Sequence, residues 1–389
     1  MMTNKVVKPN GDRKAHSSEE SSKFEKTILH SKPLRNGGII MEHEFSQWQN
    51  EQTPPVAPVQ PPMEDVIKPA RKQFSKLGLM FFLGTLLIIL VQTIASAVAI
   101  KVNAGIANNT AAMLLVTMLP MYAIAMPLMG LLISRIPSQT IAKKKMTFVQ
   151  WLIAFLICYG GMYASNLIGL FLTELIAVFK GAPVTNTIAE IAASSNVLVN
   201  FFIMVICAPI AEELLFRKLL IERTVKYGEG TAVLFSGLMF ALFHGNLNQF
   251  VYAFTLGIFF GFIFVKTGNI LYTIYLHMLI NFLGSIPGVL LLNWLGEDFI
   301  KALSDPALMA PYVQQHLAGI MLYALYGLFV LALAIAGIIF FCVSLKKLRL
   351  FPGEVSIPKG KRFSTTILNV GMAIYFIYWI IMIVIQLFA

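Results

Sequence analysis

The stretch NVLVNFFIMVICAPIAEELLFR, Asn196 to Arg217, decides the fold. Its run from Asn196 to Ile210 is almost wholly apolar, so the adjacent carboxylates Glu212 and Glu213 arrive near the end of a membrane helix. A charged side chain inside a bilayer costs at least ~2.5–3.5 kcal/mol per residue on insertion scales, and such residues face a protein interior or a water-filled cavity. Only Glu174, Glu212 and Glu213 are carboxylates within the apolar spans assigned below. His244 and His277 fall in later spans and are candidates to meet the pair. The stretch reads as one wall of a buried polar reaction centre.

Composition widens that reading to the whole chain. Of 389 residues, 57% are hydrophobic and 13% charged, against about 25% charge in a soluble domain. Mean hydropathy is +0.74. An all-α, polytopic membrane helix bundle of about 8–9 transmembrane helices is expected, and no nucleic-acid partner. Cys158, Cys207 and Cys342 lie in apolar runs without a CxxC pair, which predicts small buried residues and no disulfide framework. The hydrophilic start predicts no cleaved signal peptide.

Residues 1–74 are polar and rich in proline, with 11 Lys/Arg and 9 Asp/Glu. They are expected to form a disordered cytoplasmic tail, able to bind a cytoplasmic partner. Residues 75–389 then form the membrane domain. About 20 helical residues cross a ~30 Å hydrocarbon core. Runs of that kind fall near 77–100, 112–134, 149–178, 196–220, 231–245, 248–265, 269–292, 312–344 and 364–388, the fifth being short. With the N-terminus inside, 27 of 30 Lys/Arg are cytoplasmic, and only Lys101, Lys180 and Lys301 lie outside. Omitting the tail leaves 16 against 3, so the bias toward basic cytoplasmic segments predicts N-in, C-out. Short connections and absent sorting signals point to a bacterial cell membrane.

Three patterns in spans four to seven carry the chemistry: Glu212-Glu213-x-x-x-Arg217, Phe240-x-x-x-His244 and His277-x-x-x-Asn281. Spacing of i, i+4 puts Glu213 beside Arg217, and turns Glu212 about 100° away. At 1.5 Å rise per residue, Glu212 lies roughly 21 Å from Lys226, His244 roughly 22 Å from Glu229, and His277 roughly 14 Å from Gly268. All three therefore reach comparable depths from neighbouring antiparallel helices. A desolvated carboxylate beside imidazoles can act as general base on water. Alternatively His244 and His277, with Glu212, hold a zinc ion whose bound water attacks. Asn281 can donate to an oxyanion or orient His277. Arg217 is expected to neutralise Glu213, leaving Glu212 free, with Phe240 as a wall.

In that order the three patterns resemble the CPBP family, the CAAX-protease and bacteriocin-processing group of intramembrane proteases also called Abi. The likeness covers about residues 200–290, within a core placed at 196–292. It implies an intramembrane endopeptidase that cuts a membrane-associated protein or peptide precursor near its C-terminus or at a leader junction. It further implies Glu212 as the base, His244 and His277 beside it, and Asn281 as oxyanion stabiliser. Zinc and metal-free glutamate chemistry both stay open at this point, and the likeness explains nothing in residues 1–74.

Blander readings exist for each residue taken singly. Glu212 and Glu213 would be snorkelling charges at a helix end, His244 an interfacial cap, and His277 a hydrogen-bonded bundle histidine. Their joint depth argues against three coincidences. Glu174 and His316 fall near the outer face, outside the patterns. Gly257 and Gly261 form a small-xxx-small packing face, and Gly160-Gly161 marks a kink or a close crossing. Two rivals from other classes are a non-catalytic scaffold, immunity or regulatory protein, and a proton-coupled transporter. The latter lacks paired interrupted helices.

Overall fold

The computed structural model describes residues 63–186 and 196–388. Every regular element among them is helical. Eight helices are long and apolar enough to cross a membrane, and the shorter Glu229–Phe243 is the ninth apolar helix. In chain order they are α1 Met63–Val102, α2 Thr110–Ser134, α3 Phe148–Lys180, α4 Val197–Tyr227, α5 Glu229–Phe243, α6 Leu247–Thr267, α7 Ile270–Leu295, α8 Pro306–Ser344 and α9 Val370–Phe388. The protein is a multi-pass membrane helix bundle. Exposed leucines and isoleucines on the outer faces, such as Leu90, Ile94, Leu325, Leu328 and Ile380, are what a hydrocarbon surround requires.

One expected boundary moves. The tail assigned to residues 1–74 gives way to α1 at Met63. Val66, Ala70 and Phe74 are buried at helical spacing, so the charged residues between them occupy the outer face of a helix that begins before the hydrophobic run. The rest of the expected tail, residues 1–62, lies outside the described residues.

Helices approach closely where glycines face a neighbour. A Cβ on Gly257 of α6 would sit 2.7 Å from the Gly237 Cα of α5. Gly160 of α3 is equally tight against Ala334 O of α8, where a Cβ would come within 2.6 Å. That resolves Gly160-Gly161 as a crossing, since α3 runs unbroken through it. Gly78 of α1 meets Gly371 of α9 in the same way. Of the three free cysteines, only Cys158 is fully buried, while Cys342 is exposed on the apolar surface.

At the end of the bundle rich in Lys and Arg, two connecting segments close over the helix ends. Gln139 N–H donates to Glu222 O at 2.6 Å, and Lys144 N–H to Thr267 O at 2.7 Å. From the other segment, Val355 N–H donates to Lys226 O at 2.9 Å, and Glu229 N–H to Phe351 O at 3.0 Å. Lys266 Nζ pairs with Glu229 Oε2 at 2.6 Å and lies 4.1 Å from the Phe351 ring centroid. Arg223 spends its guanidinium on three carbonyls: Leu219 O at 2.8 Å, Ile133 O at 2.9 Å and Ser134 O at 3.1 Å. Glycine at 268, with φ of 58°, lets the chain turn out of α6 against Ala142 O.

Candidate active site

The helix α4 is not a uniform α-helix. It widens into π-helical turns at Phe201–Cys207 and again at Leu214–Leu219, on either side of the carboxylates. Such turns accommodate one extra residue per turn and cluster at functional sites. Two residues beyond the first stands Pro209, which has no N–H to give. Ala208 N–H reaches back to Ile203 O, so the Met204 carbonyl receives no donor from its own helix. Asn281 of α7 supplies one, its Nδ2 donating to Met204 O at 2.9 Å. Beside the second turn, Ser236 of α5 donates to Phe216 O at 2.7 Å. Neighbouring helices thus lock onto α4 above and below its two glutamates.

Between those locks stands His277, only 4% exposed. Its Nδ1 lies 3.1 Å from Glu213 Oε1, and its Nε2 lies 3.8 Å from Glu212 Oε2. A carboxylate facing Nδ1 favours the tautomer with the proton there. Nε2 then turns toward Glu212. At 3.8 Å the two face each other beyond direct hydrogen-bond range, close enough for one water beside them to reach both. Glu212 keeps 14% of its side chain accessible, whereas Glu213 and Arg217 keep none.

Arg217 Nε is 3.2 Å from Glu213 Oε2, the expected i, i+4 pair. Its charge is also flanked by aromatic faces, with Cζ 4.3 Å from the Phe240 centroid and 5.3 Å from that of Phe260. Phe240 is a wall in three directions. It lies under Arg217, edge-on to His244 at 4.7 Å and edge-on to His277 at 5.9 Å. Phe260 of α6 was not singled out from the sequence, yet its ring sits 5.2 Å from His277. One more phenylalanine in an apolar helix carries no signal of its own.

The expected constellation is therefore brought together unevenly. Glu213 links Arg217 to His277, His277 faces Glu212, and Phe240 packs against both Arg217 and His277. Glu213 holds His277 as well as Arg217, a role that helical spacing alone did not give. His244 binds its own helix, Nδ1 to Phe240 O at 2.8 Å, and carbonyl acceptance means Nδ1 carries the proton. No hydrogen bond joins it to Glu212 or His277 among the described residues. Asn281 has one N–H committed to Met204. His316 stacks on Tyr312 at a kink in α8, with ring centroids 4.3 Å apart, and Glu174 is exposed on α3; both stand apart from the centre.

Among the described residues, no three His, Cys, Asp or Glu side chains converge to hold an ion. His277 and Glu212 offer facing donors, but with no third such ligand this arrangement does not form a ready shell.

Neither a curated protein nor a solved structure matches the chain significantly. A protein-family model does: residues 194–283 match the family described as type II CAAX prenyl endopeptidase, Rce1-like. The matched segment holds the two glutamates, Arg217, both histidines and Asn281. Over these residues, the core that carries the site, the chain is similar to the CPBP/CAAX family of intramembrane proteases.

Proposed function

We propose that the chain is an intramembrane endopeptidase in which Glu212 activates water against a peptide bond of a membrane-associated protein or peptide precursor. The observation that carries this reading is His277 between two carboxylates, 3.1 Å from Glu213 and 3.8 Å from Glu212. Water beside Glu212 and His277 gives one proton to Glu212 as its oxygen bonds to the scissile carbonyl carbon. The resulting tetrahedral intermediate collapses by breaking the C–N bond. The departing nitrogen takes the proton held by Glu212, leaving a carboxylic acid, an amine and the original enzyme. Glu213 accepts from His277 Nδ1 and keeps that imidazole aimed, while Arg217 balances Glu213. His244 adds a second imidazole whose Nε2 is free of its own backbone.

The family name points to prenylated C-terminal CAAX segments as one substrate class; the short connections and absent sorting signals that point to a bacterial membrane favour leader-bearing or signalling peptides. Orientation N-in, C-out and a partner-binding role for the N-terminal residues remain parts of this proposal. Zinc assistance is the alternative to metal-free glutamate chemistry. Loss of cleavage on chelation, restored by added zinc, would favour the metal.

The deciding experiment compares peptides released from membranes bearing wild type and Glu212→Gln. Removing a general base lowers the rate typically 10²–10⁴-fold, so the variant should accumulate normally and release nothing measurable. Equal peptide profiles from the two proteins would overturn the assignment.

A further inference from the structure

A hydrogen-bond chain beside the reaction centre has its direction fixed by one unambiguous donor. The backbone N–H of Gln249 donates to Asn246 Oδ1 at 2.8 Å. That identifies the oxygen end of the Asn246 amide, so its nitrogen end must donate. Asn246 Nδ2 indeed faces two acceptors, His244 O at 2.9 Å and Gln249 Oε1 at 2.7 Å. With its oxygen engaged there, Gln249 presents its own N–H outward, 2.8 Å from the Tyr252 hydroxyl. The Tyr252 oxygen is therefore an acceptor in that contact. Its phenolic proton points elsewhere, and no acceptor engages it among the described residues.

Tyr252 packs among the helices that carry the proposed chemistry. It packs against both hydrophobic clusters that meet at the centre, one with Met239 and Phe240, the other with Leu256 and Phe260. It shares a face of α6 with Leu256 and Phe260 at i+4 and i+8, and Phe260 lies against His277. The Glu212 carboxylate is within electrostatic reach of the phenol. Meanwhile Asn281, the donor expected from the family pattern, has an N–H given to Met204 O.

We propose that Tyr252 donates the hydrogen bond that stabilises the oxyanion of the tetrahedral intermediate. Asn246 and Gln249 are positioning residues that hold its proton in the free direction. This rests on the endopeptidase reading above. When water adds to the carbonyl, the oxygen that gains charge accepts the Tyr252 O–H without taking its proton. The bond relaxes when the C–N bond breaks and the carbonyl re-forms.

The test uses the full chain in proteoliposomes and an internally quenched peptide spanning the bond that wild type cuts and Glu212→Gln does not. Loss of one oxyanion donor costs about 10²–10³-fold in kcat. Tyr252→Phe should lower kcat by about 10²-fold at this scale, with KM changed by no more than about twofold and an unchanged melting midpoint. Gln249→Glu replaces the donor with an acceptor that draws the phenolic proton to itself. It should lower kcat by roughly tenfold while leaving Tyr252 in place. Tyr122, another phenol within electrostatic reach of Glu212, serves as the control, and Tyr122→Phe should retain the wild-type rate. Wild-type kcat in both Tyr252→Phe and Gln249→Glu, with Glu212→Gln inactive, overturns the Tyr252 role alone. Activity in Glu212→Gln overturns the endopeptidase reading itself.

Discussion

Arg217 and Arg223 stand six residues apart on α4, both buried, in opposite circumstances. Arg223, at the end closed by the connecting segments, donates to three backbone carbonyls. Arg217, in the reaction centre, has one carboxylate and two phenyl faces, and its Nη1 and Nη2 find no acceptor among the described residues. Fully bonded buried polar groups specify a packing arrangement; partly bonded ones are high in energy and are kept where chemistry or water uses them. The contrast separates a region built to hold from a region built to react. It also predicts that substitutions in the two regions fail in different ways.

The largest effect should come from Arg217→Met, which leaves Glu213 buried and unpaired. Breaking a buried pair costs about 3–5 kcal/mol, so the protein should fail to accumulate. Adding Glu213→Gln should restore much of the melting midpoint and none of the cleavage, because His277 stays unaimed. A restored rate would merge the two regions into one structural network. Arg223→Met ranks next. It orphans carbonyls of α2 and α4, and hydrogen bonds to charged groups are worth ~1.5–3 kcal/mol each, so a net loss of about 3 kcal/mol is expected. Cleavage per folded molecule should remain near wild type when measured on the surviving fraction.

Gly257→Ala sits between the regions. Its Cβ would come 2.7 Å from the Gly237 Cα, and overpacking costs typically 1–3 kcal/mol. Because α5 carries Phe240 and His244, both melting and kcat should drop, by about 2 kcal/mol and severalfold respectively. Lys218→Ala should do least. Its pair with Glu222 leaves the lysine side chain 38% exposed, and such pairs contribute about 0–1 kcal/mol. A melting midpoint within a degree or two of wild type is expected.

Much of the fold was legible because hydropathy over twenty residues is a strong signal. The nine apolar runs correspond to nine helices, including the short one expected near 231–245 and observed as Glu229–Phe243. What was missed obeyed rules that act between helices. The early start of α1 depends on Val66, Ala70 and Phe74 meeting a core whose other side is far away in sequence. Glu213 and Arg217 were paired correctly from spacing, and Glu212 and His277 from depth. The Glu213–His277 contact was not legible, because side-chain direction on α7 is set by packing against Phe240 and Phe260. Nor was the commitment of Asn281, although Pro209 held the clue: a missing N–H guarantees an orphan carbonyl about one turn back.

That proline has a mechanical consequence. Helices in a bilayer slide past one another with little to index them, since apolar side chains grip lipid and protein alike. Pro209 leaves a single notch in the side of α4 at Met204, and Asn281 is the pin on α7 that fits it. One turn below the pin, on the same face of α7, is His277. The longitudinal setting of the imidazole against the carboxylates is therefore keyed from outside the reacting atoms. Substitutions at Asn281 will report on that alignment even where no oxyanion is formed.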